Sequence, residues 1–324
     1  MRLTFVVMTV DREELLRSCL RSLEGPPPDV EVLVVYNGSP DAMRERVSRD
    51  FPWTRALPVP RCSLGEGRNR GAAAARGAVL HFLDDDTAAP EGFAGRVLDA
   101  FARRPEAPCI GGPNLAPRGS GAFQRASDFL LRSPLGAGPM RVRYRPGGEE
   151  RLVPGWALML CNLGVRRDVF ERHGLSFPER CASAEENMLL SRVERRVGPV
   201  LLSPALFVYH ERRPGPASFL AQVLRCGRGR GHITRLDPSS LTLAPLAAPL
   251  WLAYVLAFPW LRSLPLAAAP LLVYALALAA ETARLLVSER DPAAAAAFPL
   301  LVPLSHAAYA AGFLDGLARR HSLS

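Results

Sequence analysis

Three continuous apolar segments, separated by polar and helical ones, constrain the fold more than any other feature of the chain. They occupy residues 3–9, 30–36 and 78–83 and contain few polar residues. Such segments are typical of strands that are buried on both faces of a sheet. Between the first two, the apolar residues of 13–24 recur at the spacing of an amphipathic helix. This β-α-β order predicts an α/β fold with a mostly parallel, doubly wound sheet and right-handed crossovers.

Other segments of the first 235 residues continue the pattern. We expect helices at 40–50, 65–77, 165–174 and 184–198, a weak strand at 55–59, and a strand within 199–213 that ends in Tyr209 and His210. Residues 111–155 are rich in Gly, Pro and Arg. Because this stretch is too long for an ordinary connection, we expect a loop there that is either functional or disordered.

Three consecutive carboxylates, Asp84, Asp85 and Asp86, directly follow the third apolar segment. Like charges repel, and a bound cation is the usual compensation for such a cluster. A solvated acidic turn is the alternative interpretation. Ligands of doubly wound sheets bind beyond the carboxyl ends of the strands, and residues 9–12 and 36–39 also fall at such ends. This position favours a functional cluster over a plain charged turn.

Several segments, in this order and spacing, resemble family 2 glycosyltransferases, which have the GT-A fold. The resemblance is carried by residues 5–23, 30–41, 65–90 and 184–196, and the segments 133–144, 162–174 and 219–232 look like the succinoglycan-type exopolysaccharide branch. It covers essentially the whole chain. It implies a Rossmann-like GT-A domain over residues 1–235 with a mostly parallel sheet, followed by transmembrane helices within residues 236–324.

The resemblance implies that the acidic triplet is the DXD motif of this family. Asp84 and Asp86 would be its metal-ligating members, and Asp86 the direct ligand of Mg²⁺ or Mn²⁺. Hard divalent cations prefer such oxygen ligands and keep positions open for substrate phosphates. His210, which ends a predicted strand, stands where GT-A enzymes often have a histidine ligand. An ordinary exposed histidine is the alternative.

Glu185 and Glu186 fall where the family has its Glu-Asp pair, with Glu in place of the second acid. An inverting transfer needs a carboxylate that takes the proton of the acceptor hydroxyl as its oxygen attacks the anomeric carbon. The resemblance implies this role for Glu186, with Glu185 beside it. The alternative is an exposed acidic first turn, which the helix dipole favours.

Binding of a nucleotide-sugar donor is assigned to residues at the strand ends and on two helices. The candidates are Thr9, Arg12, Tyr36, Asn37, Arg68, Asp84, Asp85, Gln222 and Arg225. The family often has Asp where this chain has Tyr36, which could stack on a base or simply pack. This departure weakens the case for a UDP-linked donor. Arg68 and Asn69 could meet the diphosphate at a helix N-terminus, or be a surface arginine and a cap.

Residues 222–226 resemble a shortened QxxRW motif of processive synthases, with Cys226 in place of tryptophan. This loss argues against processive synthesis. Arg225, Arg228 and Arg230 could hold a lipid diphosphate or anionic headgroups, or form an ordinary basic collar beside a membrane.

All 40 basic residues are arginine, and the formal net charge is +9. Chemistry that needs a catalytic or phosphate-binding lysine is therefore excluded. The arginines are scattered and no nucleic-acid motif accompanies them, so we expect no nucleic-acid partner. The six cysteines show no metal-like spacing and are interpreted as small apolar fillers in a reducing compartment.

Three apolar stretches at 241–261, 263–280 and 292–314 predict two to three membrane helices. The turn at Arg262 is tight, which leaves open that one segment is re-entrant or interfacial. Basic residues before the first stretch place that side in the cytosol. The N-terminus does not look like a signal peptide. We therefore expect a cytosolic catalytic domain anchored in the cytoplasmic membrane.

The leading hypothesis is an inverting glycosyltransferase that moves a sugar from a nucleotide-sugar donor to a lipid-linked saccharide in cell-surface polysaccharide biosynthesis. The alternative is a catalytically degenerate scaffold or binding subunit of a polysaccharide assembly complex, which the departures at Tyr36 and Glu186 keep open. A haloacid dehalogenase-type phosphatase is excluded, because the DDDT spacing is one residue short and the usual lysine is missing.

Overall fold

The computed structural model describes residues 2–179, 185–238, 241 and 243–318. The chain forms two compact units, the first made of residues 1–117 and 145–211 and the second of residues 118–144 and 212–324. Whether the catalytic domain extends to residue 235 stays a prediction.

The first unit contains the sheets and the helices that pack on them. Its strands are β1 (Leu3–Thr9), β2 (Val30–Asn37), β3 (Thr54–Val59), β4 (Val79–Asp84), β5 (Thr87–Ala88), β6 (Cys109–Gly111), β7 (Asn114–Leu115), β8 (Arg151–Val153), β9 (Asn162–Arg166), β10 (Val200–Leu202) and β11 (Val208–His210). Its helices are α1 (Glu13–Ser22), α2 (Asp41–Asp50), α3 (Leu64–Ala74), α4 (Phe93–Arg103), α7 (Arg167–Glu171) and α8 (Glu185–Arg196).

The main sheet has the strand order β3-β2-β1-β4-β9-β6-β10-β8, and a small second sheet has the order β5-β11-β7. Strands β1 to β4 pair in parallel, and β6 pairs in parallel with β10. Strand β9 runs antiparallel to both β4 and β6. The predicted fold class, an α/β domain with a mostly parallel sheet, is confirmed.

Helix α3 packs closely on the centre of this sheet, and its glycines allow the approach. A Cβ atom on Gly71 would lie 2.8 Å from Cγ1 of Val6 and 2.9 Å from Cγ2 of Val35. A larger residue would therefore push the helix away from β1 and β2. The Oγ atom of Ser63 caps the helix by accepting a hydrogen bond from the Glu66 amide at 3.1 Å.

Two predicted elements differ from the structure in this unit. The strand expected over 199–213 is divided into β10 and β11, which belong to different sheets, by a short 3₁₀ turn at Pro204–Leu206. Proline lacks an amide donor, which disfavours a continuous central strand. The helix expected from residue 165 begins at Arg167, because Val165 and Arg166 continue β9.

The second unit is helical. Its helices are α5 (Ala122–Arg132), α6 (Pro134–Ala137), α9 (Pro216–Leu236), α10 (Ala247–Leu261), α11 (Ala269–Glu289) and α12 (Pro292–Ala318). The expectation of a long loop over 111–155 is wrong at α5, where Phe123, Ala126 and Leu130 have helical spacing. Buried Phe129 and Leu130 share a core with Phe298 of α12, so tertiary burial stabilises this helix.

Three helices of the second unit are long and apolar enough to cross a membrane, namely Ala244–Leu261, Ala269–Glu289 and Pro292–Ala318. They correspond to the three apolar stretches expected from the sequence. Helix α12 also lies against α9 at very short range. A Cβ atom on Gly312 would lie 2.1 Å from the backbone oxygen of Leu224, and one on Gly316 would lie 2.1 Å from that of Arg228. Small residues thus permit direct backbone packing between these helices.

Candidate active site

The parallel register of the sheet brings the ends of three strands to one edge. Thr9 at the end of β1 pairs with Tyr36 of β2, and Met8 pairs with Asp84 at the end of β4. The acidic triplet therefore lies beside the residues that follow β1. This is the edge at which ligands of doubly wound sheets bind.

Asp85 is held entirely by neighbouring protein groups. Its carboxylate is fully buried and accepts hydrogen bonds from Thr9 Oγ1 at 2.7 Å and from Arg12 Nε at 3.1 Å. A second guanidinium nitrogen of Arg12 also donates to it. Burial raises the pKa of Asp85 to about 6, although the donors from Thr9 and Arg12 oppose that rise. These contacts anchor the turn and leave Asp84 and Asp86 on either side of the buried residue.

Asp86 has one engaged oxygen and one oxygen without a hydrogen bond. Arg12 Nη1 donates to its Oδ2 at 2.9 Å. Its buried Oδ1 lies 3.2 Å from Nε2 of His210 but has no hydrogen-bond partner among the described residues. Burial raises the pKa of the carboxyl, yet the adjacent His210 and Arg12 outweigh it and hold the pKa below its ordinary value. An ionised carboxylate with an unused buried oxygen is suited to a cation.

His210 and Asp84 belong to a set of donors that could hold one metal ion. Ligand atoms of Asp84, Cys161 and His210 all lie within 4.8 Å of one another. His210 ends β11 and pairs with Thr87 of β5, which fixes it opposite the acidic turn. Carboxylate, imidazole and thiol are all recognised ligands of divalent metals. The donor set and the Oδ1 of Asp86, which has no hydrogen bond within the described residues, fit a divalent cation.

Cys161 was not among the residues predicted for this site. The sequence suggested an apolar filler, but its neighbours are polar, since Asn114 Nδ2 donates to its Sγ at 3.1 Å. The spacing of the cysteines did not indicate a metal site, because the neighbouring donors of Cys161 are Asp84 and His210, which are distant in sequence. No disulfide joins the cysteines that the structure describes, which include Cys161.

Arg68 links the acidic triplet to the acidic pair on α8. Its Nη2 donates to Asp84 at 2.9 Å, and its Nη1 donates to Glu185. The residue is only 5% exposed. Burial lowers the pKa of the guanidinium, but the charges of Asp84 and Glu185 raise it above its ordinary value. Arg68 is therefore a buried bridge between two carboxylates, and not the surface arginine considered from the sequence.

Glu185 and Glu186 lie on the first described turn of α8 and are both buried, with 3% and 8% of their surface exposed. This burial contradicts the alternative of an exposed acidic turn. Glu185 accepts the hydrogen bond from Arg68, so its carboxylate has a positioning partner.

Three residues considered for the donor site have their side chains engaged elsewhere. Tyr36 is 2% exposed and belongs to the hydrophobic core, which favours packing over stacking on a base. Asn37 donates to the backbone oxygen of Cys62 at 3.0 Å and accepts from its amide at 2.9 Å. Asn69 makes the same pair of contacts with the backbone of Phe177, both at 2.9 Å. These amides fix loops beside the site.

Gln222 and Arg225 lie on α9, in the second unit. Arg225 is exposed and Gln222 is partly exposed. Their assignment to the donor stays a prediction. Arg228, two turns from Gln222, forms an ion pair with Asp315 of α12.

The strand order and the mostly parallel sheet are those of a GT-A-like α/β domain. The family model for glycosyl transferase family 2 matches residues 4–174, more than half of the chain. The chain therefore belongs to glycosyl transferase family 2.

A curated relative is the uncharacterized glycosyltransferase EpsJ of Bacillus subtilis (strain 168). The two sequences are 25% identical over an alignment of 220 residues. The alignment covers 64% of this chain and 60% of the length of that relative. The mannosyltransferase PcManGT from Pyrobaculum calidifontis, solved in complex with GDP-Man and Mn²⁺, has a TM-score of 0.67 and 16% identity. The alignment covers 99% of this chain and 88% of that chain.

Residues 1–349 of S. aureus TarS match with a TM-score of 0.50 and 17% identity, covering 98% of this chain and 89% of that chain. At these identities the solved structures show the shared fold. They support the GT-A architecture that the strand order indicates.

Proposed function

We propose that this chain is an inverting, cation-dependent glycosyltransferase that moves a sugar from a nucleotide-sugar donor to a lipid-linked saccharide. The observation that carries the proposal is the unused buried Oδ1 of Asp86, which faces His210 at the carboxyl edge of a parallel sheet. Membership of glycosyl transferase family 2 supports a nucleotide-sugar donor. The GDP-Man and Mn²⁺ complex of PcManGT supports the cation and a diphosphate donor in the same fold.

Asp84, Asp86 and His210 would hold the Mg²⁺ or Mn²⁺ ion. When bound, the ion would neutralise negative charge that develops on the departing nucleoside diphosphate. Arg12 orients Asp86 through its Oδ2 and leaves the other oxygen turned to the site. Asp85 acts as the buried anchor of the turn through Thr9 and Arg12.

Glu186 is proposed as the general base. Its partner in the acidic pair, Glu185, is held by the buried Arg68, and this pairing gives Glu185 and Arg68 a positioning role. Glu186 would take the proton from the acceptor hydroxyl while the hydroxyl oxygen attacks the anomeric carbon. The bond to the nucleoside diphosphate breaks on the opposite face, so the configuration at that carbon inverts.

The lipid-linked acceptor is inferred from the three apolar helices that follow the family 2 region. A saccharide carried on a membrane lipid would be a suitable acceptor for an enzyme anchored in the same membrane. The resemblance to the succinoglycan-type branch supports a role in cell-surface polysaccharide biosynthesis at the cytoplasmic membrane, with the catalytic domain in the cytosol. Both statements are part of the proposal.

The test uses the full-length protein in detergent with Mn²⁺ and a panel of GDP-, UDP- and dTDP-sugars. Release of nucleoside diphosphate is compared for wild type, Asp86→Ala, Glu186→Gln and the exposed control Asp41→Ala. We expect Asp41→Ala to match wild type, and Glu186→Gln to release nucleoside diphosphate about 10²–10⁴-fold more slowly, the contribution usual for a general base. If wild type and Asp86→Ala release product equally slowly from every donor, the protein is a non-catalytic binding subunit and the proposal is wrong.

A further inference from the structure

We propose that Cys161 is a direct thiolate ligand of the cation in this site and biases it toward Mn²⁺, Co²⁺ or Zn²⁺ over Mg²⁺. The inference rests on the proposed cation-dependent function and goes beyond the Asp and His ligands named there. The Sγ atom of Cys161 lies among the carboxylate and imidazole donors of Asp84 and His210.

The geometry of three donors carries the first step. Ligand atoms of Asp84, Cys161 and His210 lie within 4.8 Å of one another. Two donors on one metal ion are at most about 4.5 Å apart, since metal–sulfur bonds are about 2.3 Å and metal–nitrogen or metal–oxygen bonds are about 2.0–2.2 Å. That limit applies to donors on opposite sides of the ion, and adjacent donors are about 3.0–3.6 Å apart, so movements of up to about 1 Å would bring all three donors onto one cation. The donors come from the end of β4, the residue before β9 and the end of β11.

An independent observation at the same place points to a ligand. Asp86 is only 9% exposed, and its Oδ1 has no hydrogen-bond partner within the described part of the chain. That oxygen lies 3.2 Å from Nε2 of His210, which is itself a member of the donor set. A buried carboxylate oxygen is costly to leave unsatisfied. A cation between these side chains would satisfy it.

The surroundings of Cys161 differ from those of an apolar filler. The residue is 3% exposed, and its sulfur accepts a hydrogen bond from Asn114 Nδ2 at 3.1 Å. The same amide nitrogen lies 2.9 Å from the sulfur of Met159. A donor directed at the sulfur stabilises a thiolate over a thiol. By contrast, Cys109 lies fully buried within β6 and is outside the donor set.

A thiolate ligand has a consequence for metal choice. Soft sulfur ligands suit Zn²⁺ and other transition metals, whereas Mg²⁺ prefers oxygen ligands only. When the cation binds, it replaces the proton of the Cys161 thiol, and that proton is released to the buffer. The site would thus combine the hard oxygens of Asp84 and Asp86 with one soft ligand.

Cobalt spectroscopy of the full-length protein in detergent tests the proposal directly. Co²⁺ is titrated in the presence of GDP or UDP, and the absorption spectrum is recorded for wild type, Cys161→Ser and the buried control Cys109→Ser. We expect a thiolate-to-cobalt charge-transfer band in wild type and in Cys109→Ser, and its loss in Cys161→Ser. We also expect Mn²⁺ affinity to fall at least about tenfold in Cys161→Ser, the loss seen when even an outer partner of a metal is removed.

The outcomes separate this inference from the proposed function. If wild type binds Co²⁺ with ligand-field absorption but without the charge-transfer band, Cys161 is not a ligand, while the cation-dependent function stands. If the band is lost equally in Cys109→Ser, the assignment to Cys161 is also wrong. If Co²⁺ does not bind with either nucleotide, the cation site itself is refuted. Absence of the band in wild type refutes the proposal even if Cys161→Ser does not fold.

Discussion

Replacing Arg68 with methionine should strongly destabilise the first unit. The substitution keeps an unbranched apolar chain in place of the arginine stem but removes the guanidinium that joins Asp84 and Glu185. Glu185 has 4% of its side chain exposed, so its charge would remain buried without this partner, whereas Asp84, at 29%, can recover part of its hydration. Breaking a buried ion pair by removing one partner costs about 3–5 kcal/mol. Because one of the two acids is partly hydrated, we expect a value near the lower end of this range.

Thermal unfolding of the full-length protein, followed by near-ultraviolet circular dichroism, measures this effect. A loss of about 3 kcal/mol corresponds to a fall in Tm of roughly 6–12 °C for a unit of this size. Arg70→Met is the matched control, because Arg70 lies on the same helix with 47% of its side chain exposed and pairs with Glu66. Exposed ion pairs of this kind contribute little to stability, so the Tm of this variant should change little.

A double substitution tests the reason for the loss. In Arg68→Met/Glu185→Gln the buried charge is removed together with its partner, so part of the stability should return relative to Arg68→Met. The reasoning is refuted if Arg68→Met and Arg70→Met lower Tm equally. It is also refuted if the loss of stability in the double variant equals the sum of the losses in Arg68→Met and Glu185→Gln, since the two side chains would then act independently.

Three other substitutions test separate contacts. Burial raises the pKa of Glu31, but the hydrogen-bond donors around its carboxylate outweigh this effect and hold the pKa below its ordinary value of 4.5. The stability that this carboxylate contributes is therefore present above pH 4.5 and is lost as the pH falls through the lowered pKa. The Tm difference between Glu31→Gln and wild type should narrow accordingly in acid. Gly312→Leu should lower Tm because a Cβ would lie 2.1 Å from a backbone oxygen of α9, whereas Gly215→Ala, with open space at this position, should not. Thr9→Val removes the 2.7 Å hydrogen bond to buried Asp85 and should cost about 1–3 kcal/mol in denaturant unfolding; a loss equally large in Thr9→Ser, which keeps the hydroxyl, would contradict this explanation.

The strands were predictable because their signal is local. β1, β2 and β4 are continuous apolar runs, and all seven residues of β1 are buried. The ends of these strands also predict that Thr9 and the acidic triplet lie at one edge of the sheet. Helix α5 was missed because its segment is dominated by Gly, Pro and Arg, and its buried face is covered by residues more than 80 positions away, such as Phe219.

The roles of individual site residues were less predictable. Tyr36 had two possible roles in the sequence, and only its position in the core favoured packing. Arg68 was considered as a diphosphate ligand, and the structure instead places it between two carboxylates. In both cases the side chain has a partner that is remote in sequence, and no local pattern records such a partner.

The fold class, the family resemblance, the acidic strand end and the apolar C-terminal stretches follow from the amino-acid pattern alone. These features depend on periodicity and on motifs within short windows, which hydrophobic burial and local backbone geometry control. The tertiary contacts are needed to show which oxygen of Asp86 lacks a hydrogen bond within the described residues, how Arg68 connects Asp84 to Glu185, and that Cys161 lies near His210. Such contacts join residues that are remote in sequence, such as Arg68 and Glu185, which are 117 positions apart, and they exist only after the sheet has brought the strand ends together.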